Sequence, residues 1–243
     1  MRSLDRRAFV AIGAAAATTS LAGCNSSHDG GFGLVASAPD RPADRTISRP
    51  DWNAVYGDYP GEQHPIVAFD YRQVDPKYLR QIVAYDGPER PGTIVVYPAG
   101  RHLYLIEPGH RATRFGVGVG REGFEWAGNA KINMRRSWPD WIPPHEMVER
   151  DPEIRAKLVK TPRGMGVPGG AKSPLGARAM YLFNRGDLGY RIHGTTEPET
   201  IGTNVSSGCV RMVNQDICYL YGRALEGTNV VVMGDANTTK VVV

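Results

Sequence analysis

Two side chains have the types and the spacing for nucleophilic catalysis: Cys209, at the end of Ser206-Ser207-Gly208-Cys209, and His193, which follows the strand-like Tyr190-Arg191-Ile192. A free cysteine is mostly protonated at neutral pH, and the thiolate is the nucleophile, so thiol chemistry needs an imidazole within hydrogen-bond reach. A strand ending at His193 and a polar loop returning the chain to Cys209 could supply that geometry. Gly208 lacks a Cβ, which permits a tight turn and lets consecutive backbone N–H groups face one point, as an oxyanion hole for a tetrahedral intermediate requires. The bland alternative is a small core thiol and a satisfied polar imidazole.

The elements that would position this pair read as strands. Thr93-Ile94-Val95-Val96-Tyr97 and His102-Leu103-Tyr104-Leu105-Ile106 flank Pro98-Ala99-Gly100-Arg101, which reads as a hairpin. Residues 115–119, 178–183, 189–193 and 229–233 read as further strands. One helix is expected after Asn214, a candidate N-cap, with Ile217, Cys218, Leu220, Tyr221, Ala224 and Leu225 on one face and Gly227 as its stop. Cys218 on that face reads as core packing. Upstream, 66–69 reads as a short strand and 78–83 as a helical turn docked on the domain. The fold class expected is mainly β with minor α. Residues 139–172, with Trp141, Pro143-Pro144 and a glycine-rich turn, form a long insertion that reads either as a lid over a site or as a surface excursion.

Of 243 residues, 41% are hydrophobic and 22% charged, and 29 are Gly and 18 Pro, which suits one globular domain with many turns. The formal charge is +4, and Arg2, Arg6 and Arg7 against Asp5 supply half of it. That small surplus gives no footprint for nucleic acid. Glycines 118, 120 and 123 fit a dinucleotide fingerprint by spacing alone, with no helix pattern after them. His145-Glu146 begins a zinc-protease motif that fails at Glu149. No metal and no cofactor is expected.

Residues 1–24 have a positive start, an alanine-rich apolar run and the ending Leu21-Ala22-Gly23-Cys24, the anatomy of a secretory signal. Arg6-Arg7-Ala8-Phe9-Val10 resembles a twin-arginine export signal, with Asp5 where that pattern prefers Ser or Thr. The ending resembles a bacterial lipoprotein box, which implies lipidation of Cys24 and a membrane anchor made of acyl chains. The expected location is outside the cytoplasm, membrane-anchored and facing the periplasm or cell wall. Residues 25–90 are expected to be a tether and N-terminal extension, 91–234 the catalytic domain and 235–243 a C-terminal tail. With Cys24 lipidated, Cys209 and Cys218 are the remaining thiols. A thiol retained in an oxidising compartment needs a chemical reason.

The segment from His193-Gly194 to Ser206-Ser207-Gly208-Cys209-Val210-Arg211 resembles the L,D-transpeptidase (YkuD-like) catalytic domain, whose signature is His-Gly, a spacer, then Ser-His-Gly-Cys with Arg or Asn two residues on. The resemblance extends over roughly Pro91 to Met233 and includes Ser173-Pro174-Leu175-Gly176. It implies a sandwich-like β-rich fold, Cys209 as nucleophile and His193 as general base. It further implies that the Gly194 carbonyl orients the imidazole, that the Gly208 and Cys209 amides form the oxyanion hole, and that Arg211 holds the active loop or a substrate carboxylate. Ser206 and Ser207 are expected at the substrate, with Ser207 standing where the commonest pattern has a second His. The implied reaction is acyl transfer on peptidoglycan stem peptides through a thioester, giving 3-3 cross-links. Its rivals are a carboxypeptidase or endopeptidase at the same site and a non-catalytic wall-binding lipoprotein.

Overall fold

β-branched and aromatic residues recur in short runs between Gly- and Pro-rich turns, and in a computed structural model of the chain those runs are strands. The residues described are 45–120, 126–206, 208–234 and 240–242. All of them lie in one compact unit, Val35–Val243; the other unit, Met1–Leu34, lies outside the described residues, as do Cys24 and Ser207.

The strands in chain order are β1 (Thr46–Ser48), β2 (Gln81–Ala84), β3 (Ile94–Tyr97), β4 (His102–Glu107), β5 (Arg111–Gly116), β6 (Val119–Gly120), β7 (Trp126–Ser137), β8 (Val159–Thr161), β9 (Gly164–Gly166), β10 (Arg178–Phe183), β11 (Asp187–His193), β12 (Asn204–Ser206), β13 (Val210–Arg211), β14 (Asn229–Val232) and β15 (Lys240–Val242). The helices are α1 (Trp52–Val55), α2 (His145–Arg150), α3 (Pro152–Lys157) and α4 (Asn214–Tyr221). The main sheet runs β1-β2-β5-β4-β3-β14-β7-β10-β11-β13, with β15 beside β7. Its two halves meet again beyond β5, where Gly118 and Arg211 exchange backbone bonds of 3.0 and 2.9 Å. The sheet is therefore curled, and its interior is filled from both halves.

Ile94, Leu103 and Phe115 from one half, Met180, Ile192 and Val210 from the other, and Ile217 and Leu220 from α4 form the main core, all fully buried. Burial of each such side chain stabilises the fold by about 1.5–3 kcal/mol. Val95, Tyr104, Ile106 and Ala112 point the opposite way into a second cluster, so β3 and β4 are apolar on both faces.

Several local expectations are corrected. Residues 66–69 make no strand; Ile66 forms a single bridge to Tyr59, and Phe69 turns its ring edge-on to Tyr56 at 5.5 Å. The helical turn expected at 78–83 is a 3₁₀ turn at Pro76–Tyr78 followed by β2, which pairs antiparallel with β5 and alternates buried and half-buried residues. The twelve-residue β7 carries Gly128, Asn129, Lys131 and Asn133, poor strand formers, and is held extended by pairing with β10 on one side and β14 on the other.

Helix α4 is present, but Asn214 does not cap it. The N-cap is Val213, with no side-chain bond. The helix ends at Tyr221, Leu225 is 61% exposed rather than on its buried face, and Gly227 takes φ +90° in the turn that feeds β14. Inside the insertion lie α2, α3 and the β8–β9 hairpin; Asp151 caps α3 by accepting from the Glu153 and Ile154 amides. Among the described residues no helix is long and apolar enough to cross a membrane.

Candidate active site

Strands β11 and β13 are parallel, with Ile192 opposite Val210 and His193 opposite Arg211. Side chains alternate between the faces of a sheet. Ile192 and Val210 enter the core, fully buried, while Arg191, His193 and Arg211 take the other face. Cys209 immediately precedes β13. His193, Cys209, Arg191 and Arg211 all line one cleft of about 1190 Å³, so the pair singled out by chemistry shares that cleft.

The His193 imidazole is buried, 4% exposed, and its Nδ1 lies 2.6 Å from the Gly194 carbonyl oxygen. A carbonyl can only accept, so Nδ1 carries the proton and the neutral ring leaves Nε2 as its lone pair. Burial pushes the His193 pKa down to about 3; the Gly194 carbonyl opposes this, and the positive charges of Arg211 and Arg191 add to it. The ring is a neutral base at physiological pH.

Sequence reasoning missed the residue that fixes this turn. Asn214 Oδ1 accepts from the Ala177 amide at 2.9 Å, and its Nδ2 donates to the Thr195 carbonyl at 2.9 Å. One side-chain amide thereby joins the loop before β10 to the turn after His193. The fit is close: a Cβ on Gly194 would come within 2.2 Å of Asn214 Oδ1. The neighbouring residues of the same helical turn act alike. Gln215 donates to the Gly57 and Val67 carbonyls at 3.2 and 3.0 Å. Asp216 accepts from the Tyr56 hydroxyl at 3.1 Å and pairs with Arg80 Nε at 3.2 Å. Burial pushes the Asp216 carboxyl up to about 6 against the pull of Arg80. Three consecutive polar side chains of α4 thus bind the turn after His193 and the N-terminal segment to one helix.

Cys209 is half-buried. Gly208 before it takes φ +106°, and a Cβ there would meet the Tyr190 ring at 2.7 Å, so the turn into the thiol demands glycine. Ser206 lies in β12 opposite Gly120. Cys218 is buried in a small cluster with Ile66, Trp138 and Ala177, and burial pushes its thiol up to about 11.

Arg211 Nη1 donates to Glu197 Oε2 at 3.0 Å, which ties β13 to the loop after His193. The insertion lines the same cleft through Trp141, Ile142, Met147 and Ile154. It is closed at its base, where Trp141 and Val167 exchange backbone bonds of 2.9 Å, the Gly169 amide donates to Asp140 at 2.8 Å, and Ser173 Oγ donates to the Pro139 carbonyl at 2.9 Å. It is therefore lid-like rather than a surface excursion.

The family model described as the L,D-transpeptidase catalytic domain (YkuD) matches residues 91–232. “Probable L,D-transpeptidase ErfK/SrfK” of Escherichia coli (strain K12) is 34% identical over 142 residues, covering 56% of this chain and 42% of that protein. “Probable L,D-transpeptidase YbiS” of the same organism is 34% identical over 136 residues, covering 55% and 39%. The match spans less than half the length of these curated relatives. A crystal structure of a “Probable carnitine operon oxidoreductase caia from Brucella melitensis” shares 46% identity over 67% of this chain and 98% of that one, at a TM-score of 0.44.

Proposed function

The chain belongs to the YkuD family of L,D-transpeptidase catalytic domains, and on that footing we propose that it transfers peptidoglycan stem peptides through a thioester on Cys209. The observation that supports the reading is that a buried, neutral imidazole at the end of β11 and a half-buried thiol just before β13 line one cleft. His193 Nε2 takes the Cys209 proton as the sulfur attacks the carbonyl between the L-centre of diaminopimelate and the terminal D-Ala. The Gly208 and Cys209 amides receive the developing oxyanion. The intermediate collapses to the thioester, and D-Ala leaves with the proton returned by His193. An amine of a second stem then attacks the thioester, loses a proton to His193 and frees the thiol, leaving a 3-3 cross-link. The Gly194 carbonyl holds the imidazole in the tautomer that these steps need, and Arg211 braces the loop through Glu197.

The location follows the same reading: residues 1–24 direct export, and lipid on Cys24 holds the protein at a membrane facing the wall. Labelled fatty acid is expected in the wild type and not in Cys24→Ser; equal labelling would remove the anchor and leave the chemistry untouched.

Incubation of the purified protein with a disaccharide tetrapeptide should give a thioester mass on Cys209 and cross-linked dimers. Free D-Ala without dimers would reassign the acceptor to water, making the enzyme a carboxypeptidase. A carbapenem adduct on Cys218 alone would overturn the assignment of the nucleophile.

A further inference from the structure

Tyr181 lies on β10 almost fully buried, and two guanidinium groups converge on it at the edge of the cleft. Arg163, in the turn between β8 and β9, donates from Nη1 to the Tyr181 hydroxyl at 3.2 Å, with its guanidinium carbon 5.8 Å from the ring centroid. Arg191 comes from β11, and its guanidinium carbon is 5.0 Å from the same centroid. Arg191 Nη1 donates to the Gly189 carbonyl at 2.8 Å. Among the described residues neither guanidinium forms an ion pair, whereas Arg211 nearby is paired with Glu197.

Two like charges held together without a counterion repel each other. Cation–π attraction to one ring holds each of them but neutralises neither. Five cationic side chains line the cleft, Lys157, Arg163, Lys172, Arg191 and Arg211, against two carboxylates, Asp140 and Glu197. Both carboxylates are already engaged, by the Gly169 amide and by Arg211. The chain as a whole has 29 basic against 25 acidic residues, so a large share of its surplus gathers at this one site. Guanidinium forks suit planar carboxylates.

We propose that Arg163 and Arg191, gathered at Tyr181, form a carboxylate-binding subsite that recognises an anionic group of the acyl-donor peptide next to the nucleophile. The subsite rests on the stem-peptide reading above and adds to it the part of the donor that is read. Cys209, Arg191 and His193 line the same cleft, and on β11 Arg191 precedes His193 by two residues, about 7 Å. The recognised group is therefore a few bonds from the scissile carbonyl. Two carboxylates of a tetrapeptide donor meet that description: the one on the terminal D-Ala and the one at the D-centre of diaminopimelate. Because Arg163 belongs to the insertion and Arg191 to the sheet, an anion shared between them would draw the insertion onto the strand that carries the base.

The test is titration calorimetry of the full-length C209A protein with a disaccharide tetrapeptide in three forms: both carboxylates free, amidated at D-Ala, and amidated at the diaminopimelate D-centre. One amidation should weaken binding by about tenfold or more, which identifies the group read. The same amidation should change binding by no more than about twofold in C209A carrying R163Q and R191Q. C209A with R191K should still discriminate, which a purely structural arginine would not require; if R163Q disturbs folding, R191Q alone carries the comparison. Equal binding of all three forms, or undiminished discrimination in the glutamine variants, overturns the subsite. If wild type forms its thioester equally fast from free and amidated donors, the subsite falls alone; if it forms none from any donor, the stem-peptide reading falls as well.

Discussion

Arg211 stands directly opposite His193 in the parallel β11–β13 pair, so a permanent positive charge faces the imidazole from the adjoining strand. Burial, then Arg211 and Arg191, hold the His193 pKa near 3, while an unfolded chain would protonate it near its ordinary value of about 6.5. Between those values the unfolded state binds the extra proton, so the contribution of His193 to stability is complete above about pH 6.5 and is lost as pH falls toward 3. Urea unfolding at pH 7 and pH 4.5 should show a smaller acid loss in His193→Gln than in wild type. Matching losses would place the imidazole in water rather than in the wall of the cleft.

Gly208→Ala introduces a Cβ at 2.7 Å from the Tyr190 ring and a side chain at φ +106°. Strain of about 1–3 kcal/mol would be relieved by shifting the amides on either side of the thiol. Carbapenem acylation of Cys209, followed by intact mass, should slow by about 10²-fold or more. Adding Tyr190→Ala removes the contact but not the unfavourable φ, and should restore only part of the rate. Full restoration would mean that space, not backbone conformation, sets the requirement for glycine.

Asn214→Ala leaves the Ala177 amide and the Thr195 carbonyl without their partner. A loss of about 2–4 kcal/mol in unfolding free energy is expected, with slower acylation because the turn after His193 is released. Asn214→Asp should do worse at neutral pH than its size suggests, since it sets a carboxylate against the Thr195 carbonyl. Denaturant curves and acylation rates measured together distinguish the two: stability lost at unchanged rate would show that the amide holds the fold and not the base.

The proposed pair, Cys209 and His193, could be singled out because its information is local: residue type, order along the chain and the Gly208 turn all lie within one short segment. Strands such as β3, β4 and β10 were legible for the same reason, as short apolar runs between turns. β7 was not, because Gly128, Asn129 and Asn133 are extended only by neighbours that the sequence places far away. Asn214 was misread because the start of a helix suggests a cap, and its true partners, Ala177 and Thr195, are remote in sequence. The sharing of Tyr181 by Arg163 and Arg191 depends on an insertion folding back over the sheet, and no periodicity reports that.

The first turn of α4 blurs the notion of a detachable catalytic module. Family likeness begins at residue 91, yet the countercharge of the buried Asp216 is Arg80, and its hydroxyl donor is Tyr56. A protein trimmed to the homologous stretch would keep every residue of the cleft except His64 and leave a carboxylate in an apolar setting with neither cation nor donor. It should then favour the protonated acid and expose the surface against which the missing segment lay. Inheritance and folding draw different borders through this molecule, and recombinant fragments intended for enzymology need to begin before Trp52.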